Sequence, residues 1–546
     1  MIRINKSVTK WVAISFFAII RSRRRLSVTS LITAAIVALC VLPHGGQSAA
    51  AGKAQHVVVV VWDGMRSDFI SSQHTPALYG LAQRGTYFQH HHAVYVSTTV
   101  VNGTALNTGA HPERSGIFSN RSYRPEIERF KTVPAEGLDT VRRGDAITRG
   151  HYLSAPTLAE IIQGAGFPTA VCGTKSVALL FDRSDERTSE AAKQSVDFFK
   201  GRVLPSSAMA QLVKANNGDT FPRTITYPNV AQDRWTTKAL TVGVWSAGVP
   251  KFSMLWLSDP DFTQHDRGPG SKEALQALEN SDRNLASVLK RLEELNLLDQ
   301  TDIFVVSDHG FSGVEKRADV IGALRKGGFN AVREFKSSEP GETLVVGLGG
   351  SVVLYVSDHN DTTTRKLAEF LQASDFAGVI FCRIPVKGTF PLSQVHISAT
   401  NGPDLLVSMR WSGGTNEFGT PGLIIEGSEE DVKGSHGALS PFDLHNTLIA
   451  AGPDFRSAFH DELPTGNIDL APTILWILGI TPPQPMDGRV LTEALRSVSE
   501  SAPKVERRTI EASRLDSLIH WRQYLKFSTV GKAIYFDEGN GATIPK

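Results

Sequence analysis

The chain has 546 residues, 41% hydrophobic and 21% charged, with a formal net charge of +2. That is too long for one simple core, since domains usually run ~100–200 residues, and the composition is ordinary for a globular protein. The charge is uneven: Arg3, Lys6, Lys10, Arg21, Arg23, Arg24 and Arg25 face no acid within residues 1–50, so +2 overall leaves −5 on the rest. No basic field suited to a nucleic-acid backbone remains, and no polymer of that kind is expected as a partner.

The basic start runs into the apolar "SVTSLITAAIVALCVL" and then "GGQSAAAG". Positive, apolar and small-residue regions in that order describe a secretory signal. The apolar run is shorter than the ~20 residues of a membrane span. Cleavage near Ala50 and export to the periplasm or the outside are expected, with a retained N-terminal anchor as the alternative. "RRRLSV" only loosely resembles a twin-arginine signal, and Leu39 is a poor residue before a lipidated Cys40. In the mature chain Cys172 and Cys382 remain, either paired in an oxidising compartment or as two separate core residues.

"AQHVVVVVWDG" is a continuous apolar strand of the kind buried on both faces of a parallel sheet. "TPALYGLAQRG" is a short helix with a threonine cap and a glycine stop. Thr99 stands at the start of a helix running to about Thr108, with Gly109 as its stop. "SAPTLAEIIQGAG" is a helix and "FPTAVCG" a strand. "KFSMLWLSDPD" is another strand, followed by a long helix over 271–296 with Leu275, Leu278, Leu285, Val288, Leu292 and Leu295 on one stripe. "TDIFVVSDHG" is the next strand. Strands alternating with helices predict an α/β fold built on a largely parallel sheet.

Four parts are expected: a targeting segment over 1–50, a catalytic core over 51–310 and 430–497, a small mixed α/β insertion over 311–429, and an extension over 498–546 ending in a hairpin. "SVVLYVSD", "TTRKLAEFLQAS", "AGVIFCRI" and "PDLLVSMRW" carry the insertion. "NIDLAPTILWILG" is a core helix.

Ligands of doubly wound sheets sit at the carboxyl ends of strands. Asp63 follows the first strand. Asp259, Asp261, His265 and Asp266 follow "KFSMLWL", Asp308 and His309 follow "TDIFVV", and "GSHG" supplies His436. Each alone reads most simply as a turn residue or cap. Together they gather carboxylates and imidazoles at one sheet edge, a donor set suited to zinc and less specifically to manganese or iron. His90, His91 and His92 read as a surface cluster or a support behind the site, because consecutive strand residues cannot all face one ion. Thr99 would ordinarily be just a helix cap, but a helix N-terminus holds anions, and a bound cation lets a threonine hydroxyl attack at neutral pH. Asn102, three residues on, offers an amide to a phosphoryl oxygen. Thr98 is the alternative nucleophile. Arg121, Arg124, Arg142 and Arg143 either contact a second phosphate or, for most of them, cover a solvated face.

"VVWDGMR", "STTVVNGTALNTGAHPERSGI", "DPDFTQHDRGP", "VVSDHG" and "GSHG" together resemble the alkaline phosphatase superfamily, in its nucleotide pyrophosphatase/phosphodiesterase branch. The resemblance covers most of 55–310 and 430–492. It implies a three-layer sandwich and two zinc ions, one held by Asp63, Thr99, Asp308 and His309 and the other by Asp261, His265 and His436. It also implies that Thr99 attacks phosphorus to form a phospho-threonine intermediate, which water then hydrolyses. Asn102 would bind the phosphoryl oxygen. The branch commonly has Phe-Pro after the threonine and a histidine after the asparagine, where this chain has Val100, Val101 and Gly103. A glycine usually precedes the metal-binding histidine of the second motif, and here it is Gln264. Those changes fall on the leaving-group pocket, so the substrate class is open among small phosphodiesters and nucleotides, monoesters and phosphonoacetate-type phosphonates. An inactive binding homologue is the remaining alternative.

Overall fold

The structure, a computed structural model, describes residues 52–544 apart from 337–339, 398–401, 429, 499–502 and 518. The expected targeting segment lies outside the described residues. The valine run is the strand His56–Trp62, paired in parallel with Phe252–Leu257 on one side and Thr301–Val306 on the other. Its side chains alternate between faces, as strand geometry requires. Val57, Val59 and Val61 enter one apolar cluster, while Val58, Val60 and Trp62 enter another.

Nine strands make the sheet, in the spatial order Phe459–Gly466, Thr86–His92, Leu448–Ala451, Thr301–Val306, His56–Trp62, Phe252–Leu257, Thr169–Gly173, Val196–Phe199 and Arg202–Leu204. The middle is parallel. Leu448–Ala451 runs antiparallel to its neighbours, and Arg202–Leu204 is an antiparallel edge. One face is covered by the helices Thr99–Thr108, Leu158–Gly164 and Leu470–Ile477, the other by Pro76–Arg84, Val230–Lys238 and Lys272–Glu294. The result is a three-layer α/β sandwich with two apolar layers.

Local chemistry explains the helix limits. Lys272–Glu294 starts where the Ser271 hydroxyl accepts the Ala274 N–H. Its stripe buries Leu278, Leu285, Val288 and Leu292, each contributing about 1.5–3 kcal/mol. Leu158–Gly164 opens with a reciprocal Thr157–Glu160 capping box. The cap expected of Thr75 is absent: its hydroxyl bonds Ser71 instead, and Pro76 starts the helix without needing a donor partner. Gly85 ends that helix for lack of room, since a Cβ there would stand 2.3 Å from the Ala450 carbonyl.

Residues 311–429 carry a six-stranded sheet with the helices Val320–Lys326 and Asp361–Gln372, and most of a second, four-stranded sheet. The tail is not a lone hairpin. It is a three-stranded antiparallel sheet of Val505–Leu515, His520–Val530 and Ala533–Ile544. The first of these strands is half exposed and polar, which hides it from an apolar pattern. The Gln523 side chain accepts from the Ile380 N–H and donates to the Ile380 carbonyl, tying this sheet to the insertion. Cys172 and Cys382 are free and buried in different clusters. Among the described residues no helix is long and apolar enough to cross a membrane.

Candidate active site

Asp63 follows His56–Trp62, and Asp308 and His309 follow Thr301–Val306. Asp261 and His265 sit four apart on the short helix Asp261–Arg267, so both face the same way. His436 follows the short strand Gly434–Ser435. These exits bring six side chains into two triads. Ligand atoms of Asp63, Asp308 and His309 lie within 4.8 Å of one another, and so do those of Asp261, His265 and His436. The triads adjoin, with the His309 and His436 rings stacked at 3.6 Å.

Each histidine is oriented the same way. The Nδ1 atoms of His309, His265 and His436 lie 2.8, 2.9 and 2.8 Å from the carbonyls of Gly310, Gly434 and Ser97. A carbonyl only accepts, so Nδ1 carries a hydrogen and Nε2 is the atom turned inward. Those Nε2 atoms face carboxylates: His309 is 3.2 Å from Asp308 Oδ2, His265 3.3 Å and His436 3.5 Å from Asp261 Oδ1. With the rings neutral, lone pairs face lone pairs, and a proton or a bound cation between them removes the repulsion. Asp63 Oδ1, Asp308 Oδ2 and Asp261 Oδ1 are buried without a hydrogen-bond partner. Buried oxygens so placed are costly unless a positive charge joins them. The donor set and these oxygens fit two divalent cations.

Lys175 supplies a fixed positive charge. It stands just past the strand Thr169–Gly173, with Nζ 2.9 Å from Asp63 Oδ2 and 2.8 Å from Asp261 Oδ2. Burial, then the Asp308 charge, pushes the Asp63 carboxyl well up. Burial also raises Asp308. At Asp261 burial is outweighed by Lys175 and His265 together, holding that carboxyl well below the usual range. Burial and His309 keep His436 well below its usual value, so its ring is neutral.

Thr99 is the first residue of its helix, and its hydroxyl lies 3.3 Å from His309 Nε2. The Thr98 hydroxyl is buried with no hydrogen-bond partner. Gly109 closes the helix at φ 62°, a left-handed turn that glycine adopts freely.

Asn102 departs from expectation. It is fully buried, its amide donates to the carbonyls of Val94, Thr98 and Val96, and its oxygen accepts the Val94 N–H. Its donors are spent on backbone, so it does not fit the expected role of binding a phosphoryl oxygen. The whole helix is buried, which a three-residue step alone does not reveal. Asn120 is better placed: its oxygen accepts the Val100 N–H at 2.9 Å, and its amide has no partner among the described residues. Asn120 and Lys175 both escaped the sequence reading. Lys175 obeys the same strand-exit rule that selects Asp63, while Asn120 sits in a loop with no pattern to single it out.

His91 and His92 are buried, not at the surface. His91 bonds the Asn467 oxygen, and Asn467 donates to the Asp308 carbonyl and the Asn102 oxygen, so His91 braces the site from behind. Asp259 is held by Asn229 and Thr263, and Asp266 pairs with Arg267. Neither belongs to a triad. Arg142 pairs with Asp185, Arg121 bonds Thr132, and Arg124 lies over Tyr152.

An α/β sandwich with paired Asp/His triads at its strand exits defines a member of the alkaline phosphatase superfamily. The model of the type I phosphodiesterase / nucleotide pyrophosphatase family matches residues 57–371, and the chain belongs to that family. A venom phosphodiesterase of Macrovipera lebetinus is 23% identical over 260 residues, 47% of this chain and 26% of that protein. The mouse bis(5'-adenosyl)-triphosphatase enpp4 is 22% identical over 265 residues, 48% of each chain. The chain thus spans half or less of the curated relatives it matches. Human ectonucleotide pyrophosphatase/phosphodiesterase 5 superposes with a TM-score of 0.57 at 18% identity, over 81% of this chain and all of that one. An inactive variant of the murine counterpart, solved in complex with AMP, gives 0.56 over the same shares.

Proposed function

We propose that this chain is an exported, metal-dependent hydrolase that cleaves phosphodiester or pyrophosphate bonds of small, nucleotide-type substrates. One observation carries the reading: the Thr99 hydroxyl, at a helix N-terminus, touches an imidazole whose lone pair opens onto unpartnered buried carboxylate oxygens. Asp63, Thr99, Asp308 and His309 would hold one divalent cation, and Asp261, His265 and His436 the other, zinc by donor type. Bound there, the cations supply Lewis-acid stabilisation to oxygens that gain negative charge.

The chain's own groups do the rest. Thr99 Oγ attacks phosphorus, the bond to the leaving oxygen breaks, and a phospho-threonine ester forms. Water then cleaves that ester and restores the hydroxyl. The helix N-terminus favours the anionic phosphoryl group. The free amide of Asn120 donates to one phosphoryl oxygen, and Lys175 attracts another. His91 and Asn467 hold Asp308 in place.

Lys175 favours a second reading. A fixed cation between the triads suits a dianion, so a monoester or phosphonoacetate-type phosphonate is the alternative substrate. Rates on bis(p-nitrophenyl) phosphate and on p-nitrophenyl phosphate separate the two. A strong diester preference supports the first reading, and a strong monoester preference replaces it with the second. Absence of bound metal together with no hydrolysis of either would instead mark an inactive binding homologue.

A further inference from the structure

A third cluster of metal-type donors lies outside the site described above. His92 ends the strand Thr86–His92, His445 follows the helix Pro441–Leu444, and Asp537 belongs to the C-terminal sheet. One ligand atom from each lies within 4.8 Å of the others. The His92 Nδ1 is 2.9 Å from the Thr465 carbonyl, so it carries a hydrogen and leaves Nε2 as the atom turned to the cluster. That Nε2 is 3.1 Å from Asp537 Oδ1. At that distance the two are joined either by a proton on Nε2, donated to the carboxylate, or by a metal ion. The Asp537 carboxylate is oriented from behind by the Ser528 hydroxyl, at 2.9 Å from Oδ2. Histidine fixed by a carbonyl and carboxylate fixed by a hydroxyl are the supports that metal ligands usually have. A simple His92–Asp537 ion pair would need no third donor, yet the His445 ring packs 4.5 Å from that of His92. Asp537 is 27% exposed, which gives an ion a way in.

We propose that His92, His445 and Asp537 bind a divalent transition-metal ion of the zinc class. Two imidazoles and one carboxylate match its donor preference and leave a fourth position for water. The ion would join the central sheet to the C-terminal sheet, so its effect is on stability and not on turnover. The inference stands apart from the proposed function, because none of the three residues belongs to the two triads.

The test is zinc content and melting temperature of the full chain, stripped with chelator and then titrated with zinc. Wild type should bind three zinc ions per chain and Asp537→Ala two. The Asp63→Asn/Asp261→Asn double variant should keep one, with a zinc-dependent rise in melting temperature that Asp537→Ala removes when added. His445→Gln should repeat the loss should Asp537→Ala fold poorly, and folding is checked by circular dichroism in chelator. An unchanged zinc count in both Asp537→Ala and His445→Gln, or a double variant with no zinc and no thermal response, overturns the proposal. If only the two-triad reading fails, wild type holds one zinc ion and Asp537→Ala none.

Discussion

The rings of His309 and His436 stack at 3.6 Å and 13°, although each belongs to a different candidate triad. Their Nδ1 atoms are anchored to carbonyls on separate segments, Gly310 and Ser97. The two triads therefore share a wall, and loss of one perturbs the other. Asp261→Ala or His436→Ala should lower zinc content by one ion per chain and cut turnover. Full zinc content in both variants, read by elemental analysis, would contradict the assigned division of ligands.

Thr99 is expected to matter for chemistry far more than for binding metal, since three other side chains surround the same position. Thr99→Ala should lose on the order of 10³-fold or more in kcat while retaining most of its zinc. A wild-type rate in that variant removes Thr99 as nucleophile and returns Thr98 to consideration.

The two asparagines should separate cleanly. Asn102 satisfies buried backbone at Val94, Val96 and Thr98, so Asn102→Ala should cost about 1–3 kcal/mol of stability. Asn120→Ala frees a single N–H, that of Val100, so it should cost less stability, about 1 kcal/mol, and lower kcat by roughly 10²–10³-fold, as removal of an oxyanion donor does. Denaturant titration beside steady-state kinetics reads both effects. The reverse pattern would restore Asn102 to the reaction.

Much of this was legible from residue order, and the reasons for success and failure are physical. Five valines in a row leave no polar face, so His56–Trp62 could only be an interior strand. The helix limits at Thr99 and Gly109 follow from a free N-terminus and a glycine at φ 62°. Triad residues were visible because carboxylates and imidazoles recur at strand exits. Asn102 misled because a helix position says nothing about which side of the helix is buried, and here every side is. Lys175 lacked any signal beyond its place after Thr169–Gly173, since a single lysine is most often solvated. Val505–Leu515 alternates charge with half-buried residues, a pattern that a polar linker shares.

Lys175 is the counter-charge of both triads when no cation is present. Lys175→Ala leaves buried carboxylates without it, a change that typically costs about 3–5 kcal/mol. The variant should melt well below wild type in chelator, and zinc should recover much of the difference. Equal melting in chelator would show that the lysine is dispensable to the metal-free fold.

A pH effect is expected far from the site. Asp302 lies at the other end of the strand Thr301–Val306, and burial, then the Asp454 charge, pushes its carboxyl up to about 9 from 3.8. The folded chain keeps this proton where the unfolded chain releases it. That contribution to stability is full below the ordinary carboxyl value and is lost as pH rises toward about 9. Asp302→Asn mimics the neutral carboxyl. It should flatten stability between about pH 5 and pH 9 and be more stable than wild type at the upper end. An identical pH profile in the variant would rule this out.

The attack by Thr99 is tested most directly by mass spectrometry of its peptide, after acid quench during turnover of a zinc-loaded sample with a nitrophenyl phosphodiester. The retained phosphoryl ester should appear on Thr99 and be absent from Thr99→Ala. Turnover with an unmodified Thr99, or with the phosphoryl group on another residue, would contradict it.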